Sequence, residues 1–398
     1  MISQKMYELG SNRSVIREIF EYAKQRAAVI GSENVFDFSL GNPSVPAPES
    51  VREAIIELLQ SMDATVLHGY TSAQGDAGVR SDIAKYITDS FDADVCADDI
   101  YMTCGAAASL CACIKAVACE GDEFVIFAPF FPEYRVFIEA AGGKAAVVPP
   151  REPDLQIDLD CFEKSINADT KAVIVNSPNN PSGVVYSKET ISAMCKILRE
   201  KQLSFGHPIY LIADEPYREL VFDGAQVPYL INCYDNTFVC YSFSKSLSLP
   251  GERIGYVVVS PKMEEHGKVY AAVCGAGRAL GYVCAPSLMQ RVAAKCLGQT
   301  SDISVYKRNR DILCGALGEY GYSVAKPDGA FYLFVRALEP NAAAFCEEAK
   351  KHELLLVPSD SFGCPGYVRV AYCVSTDMIE RSLPAFKKLA EEYGAKRR

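Results

Sequence analysis

The chain has 398 residues, of which 49% are apolar, and it carries a formal net charge of −10. A chain of this length usually folds as two domains, or as one large domain with a smaller one, and this apolar fraction can fill a sizeable core. The acidic balance, with lysines and arginines dispersed along the chain, argues against binding of nucleic acid or an anionic membrane through a general positive field.

Cysteine is abundant, with 16 in the chain, and most lie in apolar runs where a thiol behaves as a small hydrophobic group. No Cys-x-x-Cys pair occurs and none of the four histidines has metal-ligand spacing with a cysteine, so we expect no metal site. The first residues lack a signal-peptide pattern, and no apolar run reaches the roughly 20 residues of a membrane helix. These features predict a reduced, cytoplasmic protein without membrane contact.

Short apolar runs alternate with helical segments in the middle of the chain. The runs are almost continuously apolar, which is typical of strands buried on both faces of a sheet. They cover residues 123–128, 145–148, 172–176, 209–213, 237–242 and 254–259. Ser50 to Glu53 forms a capping-box pattern, and Ser187 is a candidate N-cap for a helix over residues 188–201. This alternation predicts an α/β fold with a mainly parallel sheet flanked by helices.

The last hundred residues have a different pattern, with a helix predicted over residues 305–320, strands over 330–335 and 368–372, and a closing amphipathic helix over 376–393. This mixture indicates a smaller α+β domain. We therefore predict three parts. Residues 1–48 form an N-terminal arm and part of the small domain, residues 49–299 the large domain, and residues 300–398 the small C-terminal domain.

Lys245 lies directly after a predicted strand and between hydroxyl residues, which is an unusual place for a surface lysine. At the carboxyl end of a parallel strand its side chain would point into the crevice where α/β sheets bind ligands. A lysine there can form a Schiff base with an aldehyde cofactor if burial and nearby charge lower its pKa. Ser242, Ser244 and Arg253 would offer two hydroxyls and a guanidinium to a phosphate group.

Polar side chains also follow two other predicted strands. Asp214 is suited to keep a pyridine nitrogen protonated, although an aspartate after a strand is also a common turn or helix cap. Asn180 lies in a segment rich in turn formers, and Tyr217 follows Asp214 closely. Either side chain can donate to a phenolate oxygen on a cofactor ring, but the segment around Asn180 is equally compatible with a simple turn.

Two further segments have small or aromatic residues near a predicted element. Gly105, Ala106 and Ala107 open a helix without bulky side chains, which leaves backbone N–H groups free for an anion at the positive helix end. Close helix packing explains this pattern equally well. Phe131 follows the first predicted strand and can stack on a ring, although most phenylalanines lie in the core.

An ordered set of short motifs runs from Gly41 to Arg369, nearly the whole chain. The motifs are Gly41-Asn42-Pro43, Tyr70 before Gly75, Gly105-Ala106-Ala107, Phe131-Pro132-Glu133-Tyr134, Asn180-Pro181-Ser182-Gly183, Asp214-Glu215-Pro216-Tyr217, Ser242-Phe243-Ser244-Lys245, Arg253-Ile254-Gly255 and Tyr367-Val368-Arg369. In this order they resemble the class I and II aminotransferases, the fold type I pyridoxal-phosphate enzymes of the aspartate aminotransferase superfamily. The spacing of eight residues from Lys245 to Arg253 is the one that the family's pairing of lysine and phosphate arginine implies.

The resemblance implies a role for each matching residue. Lys245 carries pyridoxal phosphate as a Schiff base and moves the proton, Asp214 pairs with the ring nitrogen, and Tyr217 is the third residue at the reacting centre. Asn180 contacts the ring oxygen with Tyr217, while Phe131 stacks on the ring. The phosphate-binding groups are Ser242, Ser244, Arg253 and the backbone of Gly105, Ala106 and Ala107.

Arg369 is implied to bind the substrate α-carboxylate through its planar guanidinium, beside Gly41 and Asn180. Without the resemblance, a surface arginine on an edge strand is the better interpretation. Tyr70 would reach the cofactor phosphate of the neighbouring subunit, which implies a homodimer with shared active sites. The implied reaction moves an α-amino group from an amino acid, aspartate-like or aromatic, to a 2-oxo acid by a ping-pong mechanism.

The chain departs from the best-known pattern because it has no tryptophan, so Phe131 replaces the ring-stacking tryptophan of the aspartate branch. Two alternatives share the motifs: a pyridoxal-phosphate-dependent C–S β-lyase, and a non-catalytic regulatory protein that binds the cofactor. Only about forty residues precede Gly41, too few for a DNA-binding domain with a linker. Candidate residues for the substrate side chain are Ile16, Arg17, Arg278 and Tyr282, where an arginine would favour acidic substrates.

Overall fold

The computed structural model describes residues 2–11 and 14–396. Within these residues the α-helices, in chain order, are α1 Gln4–Ser11, α2 Val15–Ile30, α3 Glu49–Ser61, α4 Ala64–His68, α5 Ala77–Phe91, α6 Ala106–Val117, α7 Glu133–Ala140, α8 Leu159–Ser165, α9 Lys188–Phe205, α10 Phe243–Ser246, α11 His266–Ala279, α12 Ser287–Lys295, α13 Ser304–Glu319, α14 Ala342–Lys350 and α15 Thr376–Lys396. None of these helices is long and apolar enough to cross a membrane.

The strands of the same described residues, in chain order, are β1 Phe36–Asp37, β2 Ile100–Thr103, β3 Glu123–Phe127, β4 Lys144–Val148, β5 Pro150–Arg151, β6 Gln156–Ile157, β7 Thr170–Asn176, β8 Tyr210–Asp214, β9 Thr237–Ser242, β10 Gly255–Val259, β11 Val324–Ala325, β12 Tyr332–Arg336, β13 Leu354–Leu355, β14 Val357–Pro358 and β15 Tyr367–Ala371. Two short pairs, β1 with β13 and β5 with β6, lie outside the two larger sheets.

Seven strands form the main sheet in the order β2-β10-β9-β8-β7-β3-β4. In this order, each pair of neighbouring strands between β9 and β4 is parallel, whereas β10 is antiparallel to both of its neighbours. Strands β9 and β10 are buried at every residue, as their continuous apolar runs predict. The mainly parallel α/β fold expected from the sequence is therefore confirmed, with one reversed strand and the additional strand β2.

A smaller antiparallel sheet, in the order β11-β12-β15-β14, lies with α13, α14 and α15 around a second hydrophobic core. Each core contains residues from several separate segments of the chain. Phe334 of β12 packs in the larger core, while Phe38, Val45 and Tyr217 pack in the smaller one. The division at residues 48 and 299 stays a prediction, because Phe334 packs in the larger core and Tyr217 in the smaller one, so neither core is confined to one predicted part.

The two predicted helix caps had different outcomes. Ser187 is the N-cap of α9, and its Oγ accepts a hydrogen bond from the backbone N–H of Thr190 at 3.1 Å. The capping box at Ser50 was wrong, since α3 begins at Glu49 after Pro48 and the Ser50 hydroxyl donates to Gln299 instead. Ser50 therefore lies within the first turn of α3 and does not cap it.

Gly183 connects the two sheets, and its backbone carbonyl accepts hydrogen bonds from the N–H groups of Asp328 and Gly329 at 3.1 and 2.9 Å. Its φ of +72° lies in the left-handed region. A Cβ at this position would overlap Pro327 and lie 2.7 Å from the carbonyl oxygen of Tyr332. Gly206 has almost the same φ, +73°, but no atom within 4 Å of the corresponding Cβ position.

We expect Gly183→Ala to lower the melting temperature of the protein by several degrees more than Gly206→Ala. Both variants incur the left-handed cost of roughly 1 kcal/mol, but only Gly183→Ala adds an overpacking cost of about 1–3 kcal/mol. The measurement is thermal unfolding followed by circular dichroism. Equal melting temperatures for the two variants would contradict close packing at Gly183.

Candidate active site

Three parallel strands end at one edge of the main sheet, at Asn176 in β7, Asp214 in β8 and Ser242 in β9. The register pairs Asn176 with Asp214, and Asp214 with Cys240, so the strand ends lie side by side. This carboxyl edge is where α/β sheets bind ligands. Three segments that are far apart in sequence thus supply side chains to one crevice.

The reversed direction of β10 brings a fourth segment to this edge. Gly255 at the start of β10 pairs with Thr103 at the end of β2, which places Arg253 beside Gly105. A Cβ on Gly105 would lie 2.7 Å from Nη2 of Arg253, and φ of Gly105 is +88°, so glycine is required by both space and conformation. Gly105 is the N-cap of α6 and has no side chain to occupy the first-turn N–H groups of Ala106 and Ala107.

Ser242, Ser244 and Arg253 form a cluster next to that helix start. The Ser242 hydroxyl donates to Ser244 Oγ at 2.8 Å, and Arg253 Nη1 donates to the same oxygen at 3.4 Å. Arg253 has a φ of +53°, a left-handed conformation that costs a non-glycine residue roughly 1 kcal/mol. Hydroxyls, a guanidinium and free helix N–H groups together suit a phosphate group.

Lys245 lies in the short helix α10, and its Nζ donates to the backbone carbonyl of Gly41 at 2.9 Å. Burial lowers the pKa of Lys245 to about 8, with further contributions from the positive charges of Arg253 and Arg369. A large fraction of the amine is therefore neutral in mildly alkaline solution. Only a neutral amine is a nucleophile for an aldehyde.

Asp214 is buried, and its Oδ2 accepts a hydrogen bond from the Tyr134 hydroxyl at 2.5 Å. Its Oδ1 has no hydrogen-bond partner among the described residues. Burial raises the pKa of this carboxyl to about 7. A buried oxygen without a donor costs about 1–3 kcal/mol, so the site lacks one donor. The pyridinium N–H of pyridoxal phosphate is a donor of this kind, and the residues present therefore fit that cofactor.

Arg369 is also buried, at 3% exposure, which excludes the surface position favoured by the bare sequence. Its Nη1 donates to Asn180 Oδ1 at 3.1 Å and its Nη2 donates to the backbone carbonyl of Ser39 at 2.5 Å. Its Nε is buried without a partner in the part of the chain that the structure describes. A fixed guanidinium with a spare donor is suited to a substrate carboxylate.

Tyr217 and Asn180 reach the same crevice. The hydroxyls of Tyr217 and Tyr332 are 3.1 Å apart, and either can be the donor. Because Asn180 Oδ1 accepts from Arg369, its amide nitrogen is the end that can donate to a ring oxygen. The backbone N–H of Asn180 is held by Asn176 Oδ1 at 2.7 Å, so this loop is anchored to the end of β7.

These groups line one cavity of about 380 Å³, within the size range of small-molecule sites. Its apolar walls are Ile16, Leu40, Leu110 and Phe131, and Glu133 adds a carboxylate. Phe131 also meets the Tyr134 ring edge to face, with centroids 5.7 Å apart.

The remaining predicted site residues do not all line this cavity. Tyr70 does not line the cavity of its own chain and is 89% exposed. Of the four specificity candidates Ile16 lines the cavity, whereas Arg17, Arg278 and Tyr282 do not. Sequence reasoning assigned no role to Tyr134 and did not consider Tyr332. Tyr134 belongs to the motif Phe131-Pro132-Glu133-Tyr134, but no sequence pattern indicated a functional role for Tyr332.

We expect covalent capture of pyridoxal phosphate by the cofactor-free protein to become faster as the pH rises and to level off above about pH 8. The pKa of Lys245 lies below the ordinary lysine value of 10.5, so the neutral amine is already the main form there. The measurement is the initial rate of borohydride-trapped adduct, with Lys245 located by peptide mass spectrometry. Lys245→Ala is the control, and a rate still rising tenfold per pH unit above pH 9 would contradict the lowered pKa.

Comparison with known proteins places these observations in a family. The family model described as aminotransferase class I and II matches residues 33–386. The aspartate aminotransferase of Thermotoga maritima is 28% identical over 96% of this chain and 97% of its own length. The aromatic-amino-acid aminotransferase 2 of Thermococcus litoralis is 27% identical over 96% of both chains.

A solved structure agrees over the whole fold. The crystal structure of an amino transferase from Eubacterium rectale is 55% identical, with a TM-score of 0.97 over 99% of both chains. The family match is not limited to the strand ends that line the cavity, since it also covers the smaller sheet and the first half of α15. The chain therefore belongs to the class I and II aminotransferases and is a pyridoxal-phosphate-dependent transaminase.

Proposed function

We propose that this aminotransferase moves the amino group of an α-amino acid with an aromatic or large apolar side chain to a 2-oxo acid. The observation that carries the proposal is the arrangement in one crevice of three groups: the Lys245 amine with its lowered pKa, the unpartnered oxygen of Asp214 and the buried guanidinium of Arg369. The first is a nucleophile and base, the second a partner for a ring nitrogen, and the third a carboxylate receptor.

We propose that the cofactor phosphate is held by the cluster defined above, with Ser242, Ser244 and Arg253 as side-chain donors and Gly105, Ala106 and Ala107 as the backbone donors. Asp214 pairs with the ring nitrogen, Phe131 covers one ring face, and Asn180 and Tyr217 donate to the ring oxygen. When bound, pyridoxal phosphate supplies a positively charged ring that stabilises negative charge at the substrate α-carbon.

The remaining chemistry belongs to Lys245 and Arg369. Arg369 fixes the substrate carboxylate, and with it the orientation of the α-carbon. The Nζ atom of Lys245 accepts the α-proton and later donates it, so one amine serves as base and then as acid. The apolar walls exclude water while the proton is held. Because both substrates use this one site, the first oxo acid leaves before the second enters, which gives ping-pong kinetics.

The walls of the cavity support an aromatic or apolar donor. Ile16, Leu40 and Phe131 offer apolar surface, and Glu133 would repel a second carboxylate on the substrate. Among the described lining residues the cations are Lys245, Arg253 and Arg369, and each already has a proposed role. An aspartate-like donor would therefore need a cation from another subunit.

We also propose a homodimer in which Tyr70 reaches the phosphate of the partner's cofactor. Tyr70 is 89% exposed in the single chain, and α1 has no buried residue although Met6, Tyr7 and Leu9 are apolar. Apolar residues left exposed along one helix commonly mark a protein interface. A second copy of the chain would cover them and complete the site.

A reducing compartment, the cytoplasm, is the proposed location. The 16 cysteines are all free thiols, and seven of them are buried, including Cys240, whose thiol donates to Cys113 Sγ at 3.7 Å. Such thiols suit a protein whose core forms without disulfides.

We expect phenylalanine and tyrosine to give a kcat/KM at least about tenfold higher than aspartate, with 2-oxoglutarate as acceptor, because the apolar walls favour them by roughly 1–3 kcal/mol. Glu133→Gln should raise kcat/KM for aspartate and leave phenylalanine nearly unchanged. Coupled assays of oxo-acid formation give these values.

Lys245→Ala is the control and should have no turnover with any donor. Formation of pyruvate and ammonia from cystathionine without an added oxo acid would indicate C–S cleavage instead. A kcat/KM for aspartate equal to or above that for phenylalanine would reject the proposed substrate class.

The shared site predicts complementation between two inactive or weakened subunits. In a mixed dimer of Lys245→Ala and Tyr70→Ala chains, one site receives Lys245 from one chain and Tyr70 from the other. We expect mixing to restore about a quarter of the wild-type activity, since half of randomly paired dimers are mixed and each has one complete site. Activity no higher than the mean of the two separate variants would show that Tyr70 does not act across the interface.

A further inference from the structure

Tyr332 begins β12 of the smaller sheet and is buried at 3% exposure. In the register of β12 with β15, Phe334 lies opposite Arg369. Residues two apart on a strand share one face of the sheet, so Tyr332 and Arg369 are diagonal neighbours on the same face. The Arg369 guanidinium carbon lies 4.7 Å from the centroid of the Tyr332 ring.

The other end of Tyr332 contacts the cofactor side of the crevice. Its Oη is 3.1 Å from Oη of Tyr217, the residue proposed to donate to the cofactor ring oxygen. The hydroxyl also lies directly against Gly41, where an added Cβ would overlap it. Gly41 is the residue whose carbonyl accepts from Lys245 Nζ. One side chain thus contacts Arg369 with its ring face and Tyr217 with its hydroxyl.

We propose that Tyr332 is a positioning residue shared by the two halves of the active site, with its ring supporting Arg369 for the substrate carboxylate and its hydroxyl orienting Tyr217 toward the cofactor ring oxygen. This inference rests on the proposed roles of Tyr217 and Arg369. It adds a physical link between carboxylate binding by Arg369 and cofactor binding by Tyr217, since the one side chain of Tyr332 contacts both residues.

The proposed role of Tyr217 requires one direction for the hydrogen bond between the two tyrosines, of which either hydroxyl can be the donor. Burial raises the pKa of both phenols, that of Tyr332 to about 12 and that of Tyr217 well above its usual value. The charge of Arg369 lowers both, while Asp214 raises that of Tyr217. Both hydroxyls therefore keep their protons, and because each has only one, Tyr217 can donate to the cofactor ring oxygen only when Tyr332 donates to Tyr217. The proton of Tyr217 is then free for the cofactor ring oxygen.

The first test uses Tyr332→Phe, which keeps the ring and removes the hydroxyl. In the holoenzyme the pH midpoint of the cofactor's visible absorbance change should rise by about half a unit, because a less well oriented Tyr217 stabilises the negative ring oxygen less. KM for the amino donor should stay within about twofold of wild type, since the surface beneath Arg369 is retained. Tyr372→Phe is the matched control, because its hydroxyl donates to the Ala330 carbonyl at 3.2 Å and not to Tyr217.

The second test uses Tyr332→Leu, which removes both contacts. The same midpoint shift should appear together with a rise in KM of about tenfold, the size of a lost cation–π contact of roughly 1.4 kcal/mol. A wild-type midpoint in Tyr332→Phe overturns the shared role, and so does a wild-type KM in Tyr332→Leu. Melting temperatures of both variants show whether each is folded, and Tyr332→Phe alone decides the hydroxyl contact.

A third variant approaches Tyr332 from the opposite side. Gly41→Ala displaces the Tyr332 hydroxyl and should raise the midpoint as Tyr332→Phe does. In the double variant the two shifts should not add, because both act on one contact. Additive shifts overturn the inference. If the wild-type protein shows no visible cofactor band, the proposed function fails instead, so the two failures are distinguishable.

Discussion

The carboxylate of Asp214 is the group on which the rest of the site depends. It lies at the end of a buried strand, one oxygen is bound to Tyr134, and the other has no donor within the described chain. A buried anion in this state is unfavourable, so the carboxyl holds its proton up to about pH 7, where its pKa lies. A positively charged ring nitrogen would reverse that balance. The site is therefore most favourable when its cofactor is present.

Burial and the positively charged side chains of the site determine the protonation of Lys245 in a similar way. Lys245, Arg253 and Arg369 all line the cavity, and burial, with a smaller contribution from the charges of the two arginines, lowers the pKa of Lys245 and keeps it partly neutral. A phosphate and a carboxylate would neutralise the two arginines. Binding of cofactor and substrate would thus raise the pKa of Lys245, and the amine would become a stronger base when an α-proton is within its reach.

Much of this arrangement could be predicted from the sequence because the buried strands are continuously apolar and the polar residues follow them directly. The positions of Asp214, Lys245 and Ser242 required only the rule that parallel strands end at one edge. Strand β2 was missed because four residues with a tyrosine and a threonine have no distinct pattern. The Ser50 cap failed because α3 begins one residue earlier, at Glu49, so that Ser50 lies inside the first turn. Tyr332 reaches the cavity from a separate sheet, as a diagonal neighbour of Arg369, and the proposed role of Tyr70 depends on a second chain.

The reversed strand β10 has a consequence for how the site can vary. Lys245 follows the end of β9, whereas Arg253 precedes the start of β10, so the turn between these antiparallel strands alone connects the two residues. A residue inserted into that turn would leave both strands in register and displace the arginine relative to the lysine. With the proposed roles of Lys245 and Arg253, the length of this turn would set the distance between the groups that bind the aldehyde and the phosphate of the cofactor.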